Sequence, residues 1–446
     1  MTTPQPIAAD RLVRGRILTF PGTAFEDGHR YLEDGAVAVA AGRIAAVDEA
    51  SVVLAGTVPG VPVDDHRGCL IVPGLVDTHV HYPQTRVVAA DAPGLLEWLY
   101  KYTFVEEQKF ARPEHAGPAA AFFLDELLRQ GTTTAAVYCT VHPQSVEAFF
   151  AASEARGTRM IAGKVMMDRN APEALTDTAA RGYDDSRELL KKWHRRGRQR
   201  YAITPRFAIT STAEQLEASG ALAAEFPDVL VQTHLSENLV EIELVRELFP
   251  SAASYADVYD RFGLLSARSV LGHCVHLSDG EVELLASTGS VAAFCPTSNL
   301  FLGSGLFDFD RLRRHDPPVR VSLATDIGGG TSYSMLRTAD EARKVLKSRG
   351  RQWPALAAFH AMTRGNAEAL GLKDEIGSLA PGYEADMVVL DARATPAMAH
   401  RMESVGDLAD ELALLITLGD DRCVHETYVA GAPAKSSAAV NREAGP

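Results

Sequence analysis

The stretch LIVPGLVDTHVH, residues 70–81, is an apolar run of strand length that ends in two histidines two positions apart. At the two-residue period of a strand, His79 and His81 leave the same face and can grip one cation. Seven further apolar runs follow: TTTAAVY (132–138), TRMIAGKVM (158–166), YAITPRFAI (201–209), VLVQTHL (229–235), SVLGHCV (269–275), SVAAFCP (290–296) and VRVSLATD (319–326). Amphipathic helical stretches alternate with them, which predicts a parallel sheet, and eight strands predict an α/β fold, a (β/α)8 TIM-like barrel. Helix punctuation agrees: Gly131 and Gly157 sit where C′ glycines belong, and Ser278 with Glu281 matches a capping box opening SDGEVELLAS.

Outside this region the texture changes. Residues 10–69 read as short strands without helices, with Gly42 and Arg43 at a hairpin turn, and strand texture returns after Glu375. The two terminal segments are therefore expected to pair into a small β-sandwich domain, 1–69 plus 376–446, with the barrel, 70–375, inserted between them. The tail from about Lys435, KSSAAVNREAGP, reads as disordered by composition.

Composition sets the outer limits. The 446 residues are 46% hydrophobic and 23% charged, enough to bury a sizeable core. The net charge of −14 and the lack of a Lys/Arg run exclude a nucleic-acid polymer or an anionic membrane as partner. The first residues, MTTPQPIAADRLVRGR, lack the apolar region of a signal peptide, and no apolar run approaches membrane-spanning length, so a cytoplasmic protein is expected. Five scattered cysteines without CxxC spacing read as core filler in a reducing compartment.

Chemistry in such a barrel sits at the C-terminal ends of the strands. Besides His79 and His81, the fifth run ends in His234, the sixth carries His273 near its end, and the eighth ends in Asp326. Three imidazoles and one carboxylate make a site for a single divalent metal, Zn2+ with Fe2+ as the alternative, where a water can become acidic enough to ionise near pH 7. Glu237, three residues after His234, is placed to move protons without being a ligand. The other histidines (29, 66, 115, 142, 194, 276, 315, 360, 400 and 425) read as ordinary core or surface residues. The glycines after Asp326 read as clearance for close approach, and Lys164 as the buried partner of a carboxylate rather than a bridge between two metals.

PGLVDTHVH (73–81), HLSE, LGHCVHL and LATDIGGG together resemble the mononuclear branch of the amidohydrolase superfamily. HYPQ (81–84), LLEWLYKYTFVEEQKF (95–110), ITPRFAIT (203–210), QTHLSEN (232–238), FCPTSNLFLGSG (294–305) and ATDIGGGTSYSML (324–336) narrow the resemblance to the guanine deaminases. The resemblance implies hydrolytic deamination of guanine to xanthine and ammonia in purine metabolism. It implies His79, His81, His234 and Asp326 as metal ligands, Glu237 as proton shuttle, and His273 as the residue orienting the water and the developing charge. It further implies Gln84 and Arg206 as the purine-recognition pair, with Phe207 at the ring, and a homodimer. The chemistry of these groups agrees: Arg206 only donates and suits a carbonyl oxygen, whereas the Gln84 amide donates and accepts. Trp98 and its neighbours in 91–110 read as a lid or a subunit contact.

Two rival readings compete with this one. A related aminohydrolase acting on an oxidised purine, pterin or triazine would share the metal set, and a scaffold that kept the barrel would have lost a ligand, which this chain has not. A cytidine-deaminase type of zinc site is excluded, because its HxE and PCxxC pattern is absent.

Overall fold

The computed structural model describes residues 7–22 and 24–435, so most of the tail expected to be disordered lies outside the described residues. Eight parallel strands form the barrel: Leu75–His81, Thr132–Tyr138, Arg159–Gly163, Arg200–Pro205, Leu230–Leu235, Ser269–His273, Val291–Phe294 and Arg320–Leu323. Each pairs with the next in chain order. The first and eighth meet without a ladder. Asp326 N–H donates to the His79 carbonyl at 2.9 Å, and the Thr78 and Ser322 hydroxyls lie 2.8 Å apart.

The barrel floor is filled by Val76, Ala136, Ile161, Ala202 and Val270 and closed from below by Leu370, Leu372 and Ile376. With the lower half plugged by apolar groups, polar chemistry is confined to the upper mouth. Helices dress the outside as the punctuation predicts. Gly157 adopts the left-handed conformation after Pro143–Arg156, and Ser278 and Glu281 form the reciprocal capping box of Asp279–Thr288.

The terminal segments build a separate seven-stranded sheet, ordered Ala432–Pro433, Val424–Val429, Met387–Leu390, Val63–Pro73, Arg11–Thr19, Arg30–Ala40 and Arg43–Glu49. The hairpin turn at Ala41 and Gly42 has both residues at positive φ, the geometry of a tight two-residue turn.

Two expectations are corrected. The stretch 70–81 is two strands, not one: residues up to Pro73 pair with Met387–Leu390 in the small sheet, and the barrel strand starts at Leu75. The chain changes sheets at Gly74, whose N–H goes to the Asp386 carbonyl at 2.9 Å and whose missing side chain clears Thr133. The terminal segments also contain helices, Ala50–Gly56, Pro396–Met402 and Leu408–Leu418. Leu408–Leu418 starts at an Asp407 cap and buries Leu412, Leu415 and Ile416, so its LALLITL run follows a helical stripe where strand texture is expected.

Candidate active site

His79 and His81 end the first barrel strand and His234 stands near the end of the fifth, and one ligand atom of each lies within 4.8 Å of the others. The His81 and His234 Nε2 atoms face each other at 3.2 Å. The Nε2 atoms of His79 and His81 are each 3.4 Å from Asp326 Oδ1. A tetrahedral ion with Zn–N bonds of ~2.05 Å would hold its donors about 3.3 Å apart, so these spacings match the edges of such a coordination polyhedron.

Protonation and orientation fit the same purpose. Neither ring nitrogen of His79 nor Nδ1 of His81 has a hydrogen bond among the described residues, a costly state for buried polar atoms that a metal relieves in part. His234 Nδ1 lies 2.7 Å from the Arg206 carbonyl, which can only accept; Nδ1 therefore carries the proton and Nε2 presents its lone pair to the cluster. Burial and the neighbouring positive groups hold His81 and His234 well below the usual imidazole range, keeping them neutral as ligands must be. Burial pushes the Asp326 carboxyl up, but the His79 and His273 imidazoles outweigh it and hold it at about 2. Cys295 Sγ also comes near His79 and His273, yet burial pushes its thiol well up and it points to the Ala293 carbonyl, so it is a poor ligand beside Asp326.

His273 and Glu237, the groups expected to handle protons, face this cluster. His273 ends the sixth strand with φ 73°, its Nδ1 2.9 Å from Asn299 Oδ1 and its Nε2 3.4 Å from Glu237 Oε2 and 3.8 Å from Asp326 Oδ2. Burial pulls His273 down, but the Glu237 and Asp326 carboxylates outweigh it and raise it above the usual imidazole value. Glu237 follows Ser236, which has φ 49°, and its Oε1 accepts from Ser304 Oγ at 2.8 Å. Burial raises its carboxyl. Asn299 and Ser304, both in FCPTSNLFLGSG, thus orient His273 and Glu237, roles that spacing alone does not reveal.

A pocket opens between the cluster and the surface. Gln84, Arg206 and Phe207 line it, and Leu95, Trp98 and Leu99 of the segment after the first strand form an apolar wall. All the residues expected to hold the metal, move protons or bind the base, His79 aside, reach this pocket, and His79 sits against His81 and His234. A side chain on Gly328 would collide with Gln84 Oε1, which is the clearance expected of the glycine run. Lys164 pairs with Asp177 away from the pocket.

Beside Asn299 and Ser304, a further residue escapes the sequence reading. Glu107, completely buried, accepts from Gln84 Nε2 at 3.0 Å and from Arg206 Nη1 at 3.0 and 2.7 Å, tying the two together from behind. The guanidinium also lies over the Phe104 ring, 5.5 Å from its centroid.

Comparison with known proteins agrees with this geometry. The sequence profile of the amidohydrolase family matches residues 70–433. The guanine deaminase of Escherichia coli (strain K12) is 48% identical over 402 residues, 90% of this chain and 91% of that protein. A solved E. coli guanine deaminase superposes with a TM-score of 0.92 at 47% identity, covering 95% of this chain and 99% of that one. A guanine deaminase from C. acetobutylicum, solved with guanine bound in its active site, gives 0.85 at 29% identity, covering 95% and 99%. The chain belongs to the amidohydrolase family and, within it, to the guanine deaminases.

Proposed function

We propose that this protein hydrolyses guanine to xanthine and ammonia, with the residues around the barrel mouth in the roles that follow. The observation that carries the reading is the pairing of a donor, Arg206, and an amide, Gln84, on one wall of a pocket whose floor is the histidine and aspartate cluster. Guanine is a neutral planar base with a carbonyl, ring N–H groups and one exocyclic amine. Arg206 donates to the carbonyl, Gln84 meets the ring edge, and Phe207 with Trp98 covers a face. That pose turns the amine-bearing carbon toward Glu237, His273 and Asp326.

His79, His81, His234 and Asp326 would hold one divalent cation, Zn2+ by its match to borderline nitrogen and oxygen donors, which supplies Lewis acidity and lowers the pKa of a water to ~7. Glu237 takes a proton from the attacking water and delivers it to the ring nitrogen beside the carbon under attack. It then carries the second proton to the amine, so that the C–O bond forms, the C–N bond breaks and neutral ammonia leaves. Its bond from Ser304 fixes one carboxyl oxygen and leaves the other, Oε2, for this traffic. His273, oriented by Asn299, donates to the oxygen as charge builds on it. Asp326 is placed to share the first proton of the water.

The same reading carries a cytoplasmic homodimer in purine catabolism and the division of the chain into a composite sheet domain, 1–69 plus 376–446, and the barrel, 70–375. Among the described residues no helix is long and apolar enough to cross a membrane. The test is to incubate zinc-replete protein with guanine and follow xanthine and ammonia. Stoichiometric release of both is expected, with kcat/KM reduced by roughly 10²-fold or more in Arg206→Ala, whose loss leaves the carbonyl unpaired. A protein that binds zinc but leaves guanine intact would sink the reading.

A further inference from the structure

Glu107 does not touch the pocket, yet its carboxylate binds both residues that read the substrate edge. It is the last residue of Phe104–Glu107, in the segment that also supplies the Trp98 wall, and it is fully buried. A carboxylate bound to a guanidinium accepts and does not donate, so the Gln84 amide must turn its nitrogen toward Glu107, 3.0 Å away. The amide oxygen is then directed to the other side, where it lies against Gly328. Arg206 spends Nη1 on both Glu107 oxygens and keeps its remaining N–H groups for a ligand. The pair is also internally neutralised, so a buried guanidinium reaches the pocket without demanding an anionic ligand.

From this geometry we infer that Glu107 is a positioning residue that sets the polarity of base recognition: through it Gln84 offers only an acceptor, beside the free N–H donors that Arg206 keeps. That pattern matches a carbonyl oxygen beside a ring N–H, which guanine carries and 2-aminopurine lacks. The inference rests on the guanine reading above and adds the residue that fixes which purine edge is accepted. Without Glu107 the amide is free to flip, and a flipped amide would set its N–H₂ against the ring N–H.

The experiment compares kcat/KM for guanine and 2-aminopurine in the zinc-loaded enzyme and in Glu107→Gln, with metal content and thermal midpoint measured alongside. The amide introduced by Glu107→Gln can donate as well as accept, so it no longer dictates the orientation of Gln84. The guanine over 2-aminopurine ratio should fall at least ~10-fold, mostly through a higher KM for guanine with a much smaller change in kcat. A merely structural role would depress both substrates equally and leave the ratio alone. A folded, zinc-loaded Glu107→Gln with an unchanged ratio overturns the assignment. Should that variant fail to fold, Gln84→Met, which removes the directed acceptor and keeps Glu107 on Arg206, must lower the same ratio; no change there overturns it too. Failure of the wild-type enzyme to convert guanine would instead sink the substrate reading, so the two failures are told apart.

Discussion

Two buried carboxyls four residues apart, Glu237 and Glu241, do different work because their partners differ. Glu241 accepts from the backbone N–H groups of Glu237 and Asn238 and from the Tyr255 hydroxyl, so it braces the turn that carries Glu237. Burial and the neighbouring Glu237 push its carboxyl up to about 7. Glu237 spends one oxygen on Ser304 and keeps the other facing His273. Glu237→Gln removes the proposed proton carrier and none of the proposed metal ligands. It should therefore retain about one zinc per chain while kcat for guanine drops by ~10²–10⁴-fold. Steady-state kinetics with metal analysis on the same sample checks this, and near-normal turnover would refute the shuttle. Glu237 is legible because it follows a strand-end histidine in HLSE. Glu107 is not: in the VEE run, Glu106 pairs locally with Lys109 and His115, whereas Glu107 reaches Arg206 almost a hundred positions away, and spacing does not distinguish them.

At the scale of elements, the site depends on how closely neighbouring strands let ligands approach. His234 and Gly272 are register partners in the fifth and sixth strands, and a Cβ at position 272 would stand 2.6 Å from His79 Cε1. The His79 ring is boxed on its other sides by Tyr138, His81 and His234, so it has nowhere to retreat. Gly272→Ala should therefore displace a proposed ligand without removing it. Zinc affinity is expected to fall by about 10–100-fold with secondary structure retained, as for other losses of support behind a ligand. Competition with a chelator of known affinity, with circular dichroism as the fold control, measures both parts. Strand positions are legible from length and flanking glycines. The two-strand nature of 70–81 is marked only by Pro73 and Gly74, a breaker pair inside an otherwise apolar run, and where the first strand goes shows only once its partner, Met387–Leu390, is known. The helices at 396–418 escape for a related reason: the apolar face of Leu408–Leu418 packs on Met335–Ser348 and Ala355–His360, a surface that exists only after the barrel has formed.

Across the whole molecule, the small sheet is fastened to the barrel floor by a buried ion network. Glu384, just before Met387–Leu390, accepts from Arg159 Nε at 2.7 Å and Arg198 Nη2 at 2.6 Å; Arg198 also binds Asp386, and Arg159 lies 2.7 Å from Glu375. Arg159 starts the third barrel strand and Arg198 precedes the fourth, so the contact joins segments about two hundred residues apart. Arginines and glutamates are too common for sequence to single out this set, although the return of strand texture after Glu375 does indicate that the two ends of the chain meet. Burial raises the Glu384 carboxyl, but the two guanidinium groups overcome it and hold it at about 2, against 4.5 for the free side chain. A carboxyl depressed in the folded state stabilises the protein above its unfolded value and loses that contribution as pH falls toward its folded value. Here the window is pH 4.5 to about 2, and the contribution at neutral pH is on the order of 3 kcal/mol. Glu384→Gln leaves the buried Arg159 and the half-buried Arg198 undercompensated and should cost about 3 kcal/mol at pH 7. The gap between wild type and variant should then narrow as pH drops through that window, because acid protonates the wild-type carboxyl and leaves the amide unchanged. Urea midpoints of both proteins from pH 7 to pH 2.5 provide the measurement, and a pH-independent gap would mean that packing rather than charge fastens the sheet to the barrel.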